Sequence, residues 1–286
     1  MNWIIASLFM FVFSVVLYVL IRQASLLKIP NPLINLTSFL IPLFLYIPIG
    51  IQNKIKFIPS LYEFVILILL GFFCSYLGNK ASLKSIELAP NPRYSLIISK
   101  SYVVLTTLIA VLFFHSPLPL NSALGILLII VFSIIIMIGK SNMKKSHFLW
   151  LPLSFGAFFA WGILTIGMKY LFTIGINTIQ LLTLLAIIVS LIVVFEIIVS
   201  KIPLRTLHIK SIALLLSIGV FSGLFNYFMI LALSITPNIG YVSAINTASI
   251  SAVAICSYLF FHDELTITKL FGISGVIAGL ILLLVT

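Results

Sequence analysis

Lys100 is the residue whose surroundings ask most of its chemistry. It stands about a turn and a half inside the apolar run SLIISKSYVVLTTLIAVLFF. An ammonium deep in an apolar helix costs roughly 2.5–3.5 kcal/mol on insertion scales, so it should face a cavity or a partner. Its stem could also carry the charge back to the nearer interface, because Lys100 is close to the start of that run. Lys80 and Lys84 are one helical turn apart and Glu87 follows three residues on, which sets them along one helix face. With Arg93 and Lys100 they place four cations and one anion around two successive apolar segments. Such a cluster could attract anionic or zwitterionic solutes, or it could be the basic flank that orients a chain in a bilayer.

His115 and His262 each end an apolar run in the tetrapeptide LFFH. A histidine can exchange a proton near neutral pH, and with Glu87 these two are candidates for proton coupling. The same residue at a helix C-terminus also complements the helix dipole. Glu63 and Glu196 are weaker candidates of the same kind, and Asp263 and Glu264 stand where acids cap a helix start. Cys74 and Cys256 form no CxxC pair. There is no Walker loop, HExxH or GxSxG, so no catalytic residue, metal site or cofactor is assigned and the chain is not expected to be an enzyme.

The elements that must position these residues follow from composition. Of 286 residues, 62% are hydrophobic and 7% charged, too few charges to clothe a surface facing water. The net charge of +11 sits mainly in short segments between apolar runs, where it sets topology rather than binding nucleic acid. Runs long enough to cross the hydrocarbon core fall at roughly 3–21, 33–51, 61–84, 94–114, 120–139, 149–168, 176–199, 210–234, 241–261 and 266–285. The first is read as a retained span, with no basic residue before it and no A-x-A site after it. The runs are apolar on all sides, which excludes an alternating β-barrel pattern. The fold class is therefore an all-α integral membrane protein of ten transmembrane helices.

Sliding the chain on itself produces matches at a constant offset of 147 residues. Pro90, Asn91 and Tyr94 fall on Pro237, Asn238 and Tyr241; LFFH falls on LFFH; Trp3 meets Trp150, Lys54 meets Lys201 and Asn79 meets Asn226. In the third span the match slips, Gly71 falling one residue short of Gly219. The organisation is a first five-helix repeat at 1–139, a linker at 140–148 and a second repeat at 149–286. Five spans is an odd number, so the halves are inverted, the plan of secondary transporters with a site near the midplane. GVFSG and GVIAG carry small residues four apart at Gly219/Gly223 and Gly275/Gly279, suited to close helix packing or a dimer face.

The segment LALSITPNIGYVSAINTASISAVAICSYLFFHDELTITKLFGISGVIAGLILLLV, residues 231–285, resembles the EamA family of the drug/metabolite transporter superfamily: a span, a turn, a small-residue-rich span, an acidic turn with Glu264 and a glycine-rich span. The first repeat departs from this pattern, with Ser116 and Pro117 at the positions of Asp263 and Glu264. The resemblance implies a carrier of small polar metabolites, or of amino-acid-like or drug-like compounds, working by alternating access with ion or exchange coupling (H+ or Na+). It implies a multi-pass protein of the cell (inner or plasma) membrane whose partners are the lipid bilayer and a small-molecule substrate, as monomer or homodimer. It places the cavity between helices 1, 3, 4 and 6, 8, 9, which makes Tyr94, Tyr241, Asn226, Tyr227, Asn246 and Thr247 candidate lining beside Lys80, Lys84 and Lys100. Trp161 could stack against substrate. The alternative is a sensor or assembly partner on the same fold. The even span count puts both termini on one side of the membrane; loop cations favour the outside, and the resemblance implies the inside.

Overall fold

The computed structural model describes residues 2–89, 92–137, 148–201, 209–262 and 264–285. Among them ten helices are long and apolar enough to cross a membrane, their most apolar stretches having mean hydropathy between 1.6 and 3.0. They are α1 (Trp3–Leu26), α2 (Asn31–Gln52), α3 (Leu61–Ser85), α4 (Ser95–Phe114), α5 (Leu120–Met137), α6 (Trp150–Thr173), α7 (Thr178–Val199), α8 (Ile209–Ile235), α9 (Ile239–Phe261) and α10 (Ile267–Leu284). No strand occurs among the described residues. The chain is an all-helical, multi-pass membrane protein. The linker assigned to 140–148 lies, Phe148 apart, outside the described residues.

Polar residues satisfy the amides that open these helices, a need made acute where no water reaches the backbone. Asn2 accepts from the amides of Ile4 and Ile5, and Ser60 with Glu63 and Asn177 with Gln180 form reciprocal capping boxes. Glu63, weighed above for coupling, is thus committed to the start of α3. At α10 the cap is the Thr266 hydroxyl, not the acidic pair expected there; the Glu264 carbonyl instead accepts from the Lys269 ammonium, and Asp263 lies outside the described residues.

The duplication is written in the backbone. Positive φ occurs at Lys28, Lys54, His115, Gly175, Lys201 and His262 among the described residues. These are three pairs separated by the same 147 residues: Lys28 with Gly175, Lys54 with Lys201, His115 with His262. Five of the six are not glycine and adopt the left-handed region against their intrinsic preference, so the same turns recur because the same fold requires them. Packing repeats the pattern. Helix α1 lies on α8 and α9, and its counterpart α6 lies on α3 and α4; α2 meets α7, α4 meets α9 and α5 meets α10. Each contact maps onto another, or onto itself, when the halves are exchanged. With an odd number of spans per half, that exchange is a two-fold axis in the membrane plane.

Glycines set how closely these pairs approach. A Cβ built on Gly125 or on Gly279 would stand 2.8 Å from the other's carbonyl oxygen, so α5 and α10 touch backbone to backbone. Gly219 and Gly223 face Ile41 and Pro42 of α2, and Gly275 faces Phe132 of α5. Both small-residue pairs therefore serve contacts within the chain.

The slip in the third span also has a structural cause. Gly71 abuts Ile188, while Gly219 abuts Ile41, and Ile41 and Ile188 are themselves 147 residues apart, so the two glycines are equivalent. Asn79 follows Gly71 by eight positions, whereas Asn226 follows Gly219 by seven. The surplus residue is absorbed by a π-helical stretch, Leu70–Leu77, whose wider turns hold an extra residue inside a continuous helix. Asn79 and Asn226 are thereby returned to register.

Candidate functional site

A cavity of about 480 Å³ lies between the repeats. Its wall is drawn from α1 to α4 and α6 to α9, with Met137 from the end of α5. Helices α2 and α7 thus join the six expected from the sequence. First-repeat lining comes from the later half of α1 and α3, from the earlier half of α4, and from α2 between the exposed Asn31 at its first residue and Tyr46. Asn31, exposed at the bundle end that carries the α1–α2 connection, marks where the cavity opens.

The opposite end is shut where α9 begins. Asn238, wholly buried, accepts from the Gly240 amide at 2.8 Å, which starts the helix. Its amide nitrogen and the Tyr241 hydroxyl both donate to the Pro117 carbonyl, at 3.1 and 2.9 Å. The Tyr241 ring lies 5.6 Å from that of Trp3, and a Cβ on Gly240 would meet the Thr107 hydroxyl at 2.2 Å. Only glycine permits α4 and α9 to cross so tightly at this point. Pro90 and Asn91, the first-repeat copies of Pro237 and Asn238, lie outside the described residues.

Lys100 sits in the cavity wall with 5% of its surface exposed. Helix α4 is interrupted beside it, one helix running Pro92–Lys100 and the next Tyr102–Phe114, with Ser101 between them. The ammonium occupies the last turn of the first piece, where the dipole favours a cation. It donates to the Tyr18 hydroxyl at 2.5 Å and stands 5.6 Å from the Trp161 ring centroid, close enough for a cation–π attraction. Trp161 Nε1 donates to Asn79 Oδ1 at 3.2 Å, its ring meets Tyr102 edge-on at 6.2 Å, and Asn246 donates to the Tyr102 hydroxyl at 3.1 Å. Among the described residues no carboxylate pairs with Lys100, and the lining includes no Asp, Glu, His or Arg. The site can therefore hold a negative group against one cation in a low-dielectric setting, with neutral amides and phenols around it.

Of the residues singled out in the sequence, Lys100, Trp161, Asn226 and Asn246 meet in this wall. The others are placed elsewhere. Lys80 is exposed on α3 and pairs at 2.7 Å with Glu196 of α7; Lys84 is exposed. Thr247 lies behind the site, its hydroxyl 3.0 Å from the Ser243 carbonyl and 3.4 Å from that of Lys100. Tyr227 packs edge-on against Phe228, and Tyr241 belongs to the closed end. His115 and His262 are exposed left-handed residues that terminate α4 and α9. The side chains of Glu87 and Tyr94 lie outside the described residues. Sequence reasoning missed Tyr18, Asn31, Asn35 and Asn79 as lining. A signal existed for three of them: Asn79 is the repeat partner of Asn226, and Asn31 and Asn35 are four residues apart on one helix face.

Residues 148–285 match the EamA-like transporter family. No curated protein matches the chain. Among solved structures, one described as a crystal structure of a protein is similar with a TM-score of 0.83, covering 97% of this chain and 94% of that one at 9% sequence identity. At that identity the likeness is one of fold.

Proposed function

We propose that the chain, whose residues 148–285 match the EamA-like transporter family of the drug/metabolite transporter superfamily, is a secondary carrier of small polar metabolites working by alternating access. The observation that carries this reading is Lys100, a buried ammonium at a break in a membrane helix, in a cavity open at one end of the bundle and shut at the other. A lysine at that depth is costly unless it lines an aqueous path. Interrupted helices beside a central site at the interface of inverted repeats are where carriers hold their cargo. Because the halves have the same fold in opposite orientation, the contacts that shut one end have counterparts able to shut the other, and rocking one half on the other moves the site between the two sides.

In this reading Lys100, Trp161, Asn226 and Asn246 contact substrate, joined by Tyr18 and Asn79, and the protein resides in the cell (inner or plasma) membrane. Uptake of labelled polar metabolites into proteoliposomes tests it. Substrate-dependent accumulation in vesicles bearing the protein, absent from protein-free vesicles, is the expected result. No flux across a broad metabolite panel, with correctly folded protein in the bilayer, would overturn it.

A further inference from the structure

We infer that the cavity selects organic monoanions, a single carboxylate-type group seating against Lys100; this inference rests on the cavity being the substrate site of a carrier. The structure divides the cations that the sequence had grouped together. Lys80 is neutralised by Glu196 on the outer side of α3 and α7, and Lys84 is on the surface. Among the described residues Lys100 is the one cation that lines the cavity, and no acid lines it with Lys100. Among the described residues the interior therefore carries one fixed positive charge. The groups that hold it, the Tyr18 hydroxyl and the Trp161 ring, are neutral and leave that charge uncompensated.

A cargo cation would meet this charge in a poorly screened space and be repelled. A neutral cargo would displace water from the ammonium and leave it unpaired once the cavity closed. A dianion would leave a negative charge in surplus. One carboxylate matches the site, gaining a charge-assisted hydrogen bond and giving a neutral occluded complex. The rest of the wall indicates the body attached to that group. Asn31 and Asn35 have no side-chain partner among the described residues, and the Asn226 amide nitrogen donates within its own helix to the Ser222 carbonyl, which leaves its oxygen turned to accept. Leu182, Leu185, Met168 and Met229 supply apolar surface. The cargo is accordingly a compact acid with an apolar skeleton and hydrogen-bonding substituents, not a lipophilic cation.

Trp161 reports the charge without a substrate having been identified. With Trp3→Phe and Trp150→Phe it becomes the only tryptophan in the chain, 5.6 Å from the Lys100 ammonium. Its fluorescence in nonionic detergent is titrated with iodide, with caesium and with acrylamide as anionic, cationic and neutral quenchers at equal ionic strength. Iodide should quench at least about threefold more strongly than caesium, and Lys100→Gln should abolish that preference while leaving acrylamide quenching unchanged. Equal quenching by the two ions, stronger quenching by caesium, quenching by acrylamide alone, or a preference for iodide that survives Lys100→Gln would each overturn the inference. Unchanged acrylamide access establishes that the variant is folded, and Lys100→Met serves if Lys100→Gln is not. Flux in proteoliposomes without an iodide preference would sink the anion site and spare the carrier; an iodide preference without flux would do the reverse.

Discussion

The ammonium of Lys100 and the ring of Trp161 lie 5.6 Å apart, and they come from opposite repeats. This contact joins α4 of the first half to α6 of the second across the cavity. Any motion of one half against the other must pass through it, and cargo seated there bridges both halves at once.

The first expectation concerns Lys100 itself. Lys100→Ala should lower transport in proteoliposomes by at least about tenfold, equivalent to about 1.4 kcal/mol of recognition. Its thermal transition should fall little or not at all, because removing an uncompensated buried charge relieves as much as it costs. A variant that transports normally would remove Lys100 from the site.

Coupling follows from the same charge. Closing the cavity empty strands an unpaired ammonium, whereas closing it on an anion does not, so the loaded carrier should reorient faster than the empty one. Vesicles preloaded with unlabelled substrate should take up label at least about tenfold faster than unloaded vesicles. Equal rates would show that the empty protein turns over freely.

At the closed end, Tyr241→Phe deletes one of two hydrogen bonds to the Pro117 carbonyl. A lost bond of this type costs about 1 kcal/mol, so the open population at that end should rise about fivefold. Thr107→Cys, in a background with Cys74 and Cys256 replaced by alanine, should then react with a water-soluble maleimide faster by that factor. Unaltered labelling would mean that the α4–α9 crossing is held by other contacts.

The α5–α10 pair offers a packing test. Gly279→Ala would drive a methyl to within 2.8 Å of the Gly125 carbonyl, overpacking that costs about 1–3 kcal/mol. The expected outcome is a lower unfolding temperature in detergent with substrate selectivity preserved, since α10 contributes nothing to the cavity wall.

Finally, the π stretch in α3 holds a residue that α8 lacks. Deleting the lipid-facing Phe73 should let Leu70–Leu77 rewind as ordinary α-helix while Gly71 and Asn79 keep their places. Deleting the similarly exposed Val220 from α8 has no surplus to draw on and should rotate Asn226 out of the wall. Monodisperse, transport-competent protein is expected from the first deletion and not from the second; equal tolerance would refute the role given to the π stretch.

Much of this architecture was legible in the residues. Ten apolar runs have one solution in a bilayer, because a backbone without water must satisfy itself as helix. The offset that aligns Trp3 with Trp150 and His115 with His262 declared two copies, and odd span number declared their inversion. Lys100 stood out because its charge is costly wherever it is buried. Tyr18 did not, since a phenol within an apolar run is equally at home in packing; nor did α2, whose asparagines face the cavity only because α2 packs against α7 and α8.

What the sequence by itself determined is the set of elements, their repetition and a lysine set inside an apolar run, all properties of local composition and periodicity. Which cations share a space was decided by tertiary structure alone. Lys80 and Lys100 looked like members of one basic cluster, yet helix rotation turns the first outward to Glu196 and the second inward to Trp161. Rotation about a helix axis is set by packing against neighbours, and in a run apolar on every side no periodicity records it.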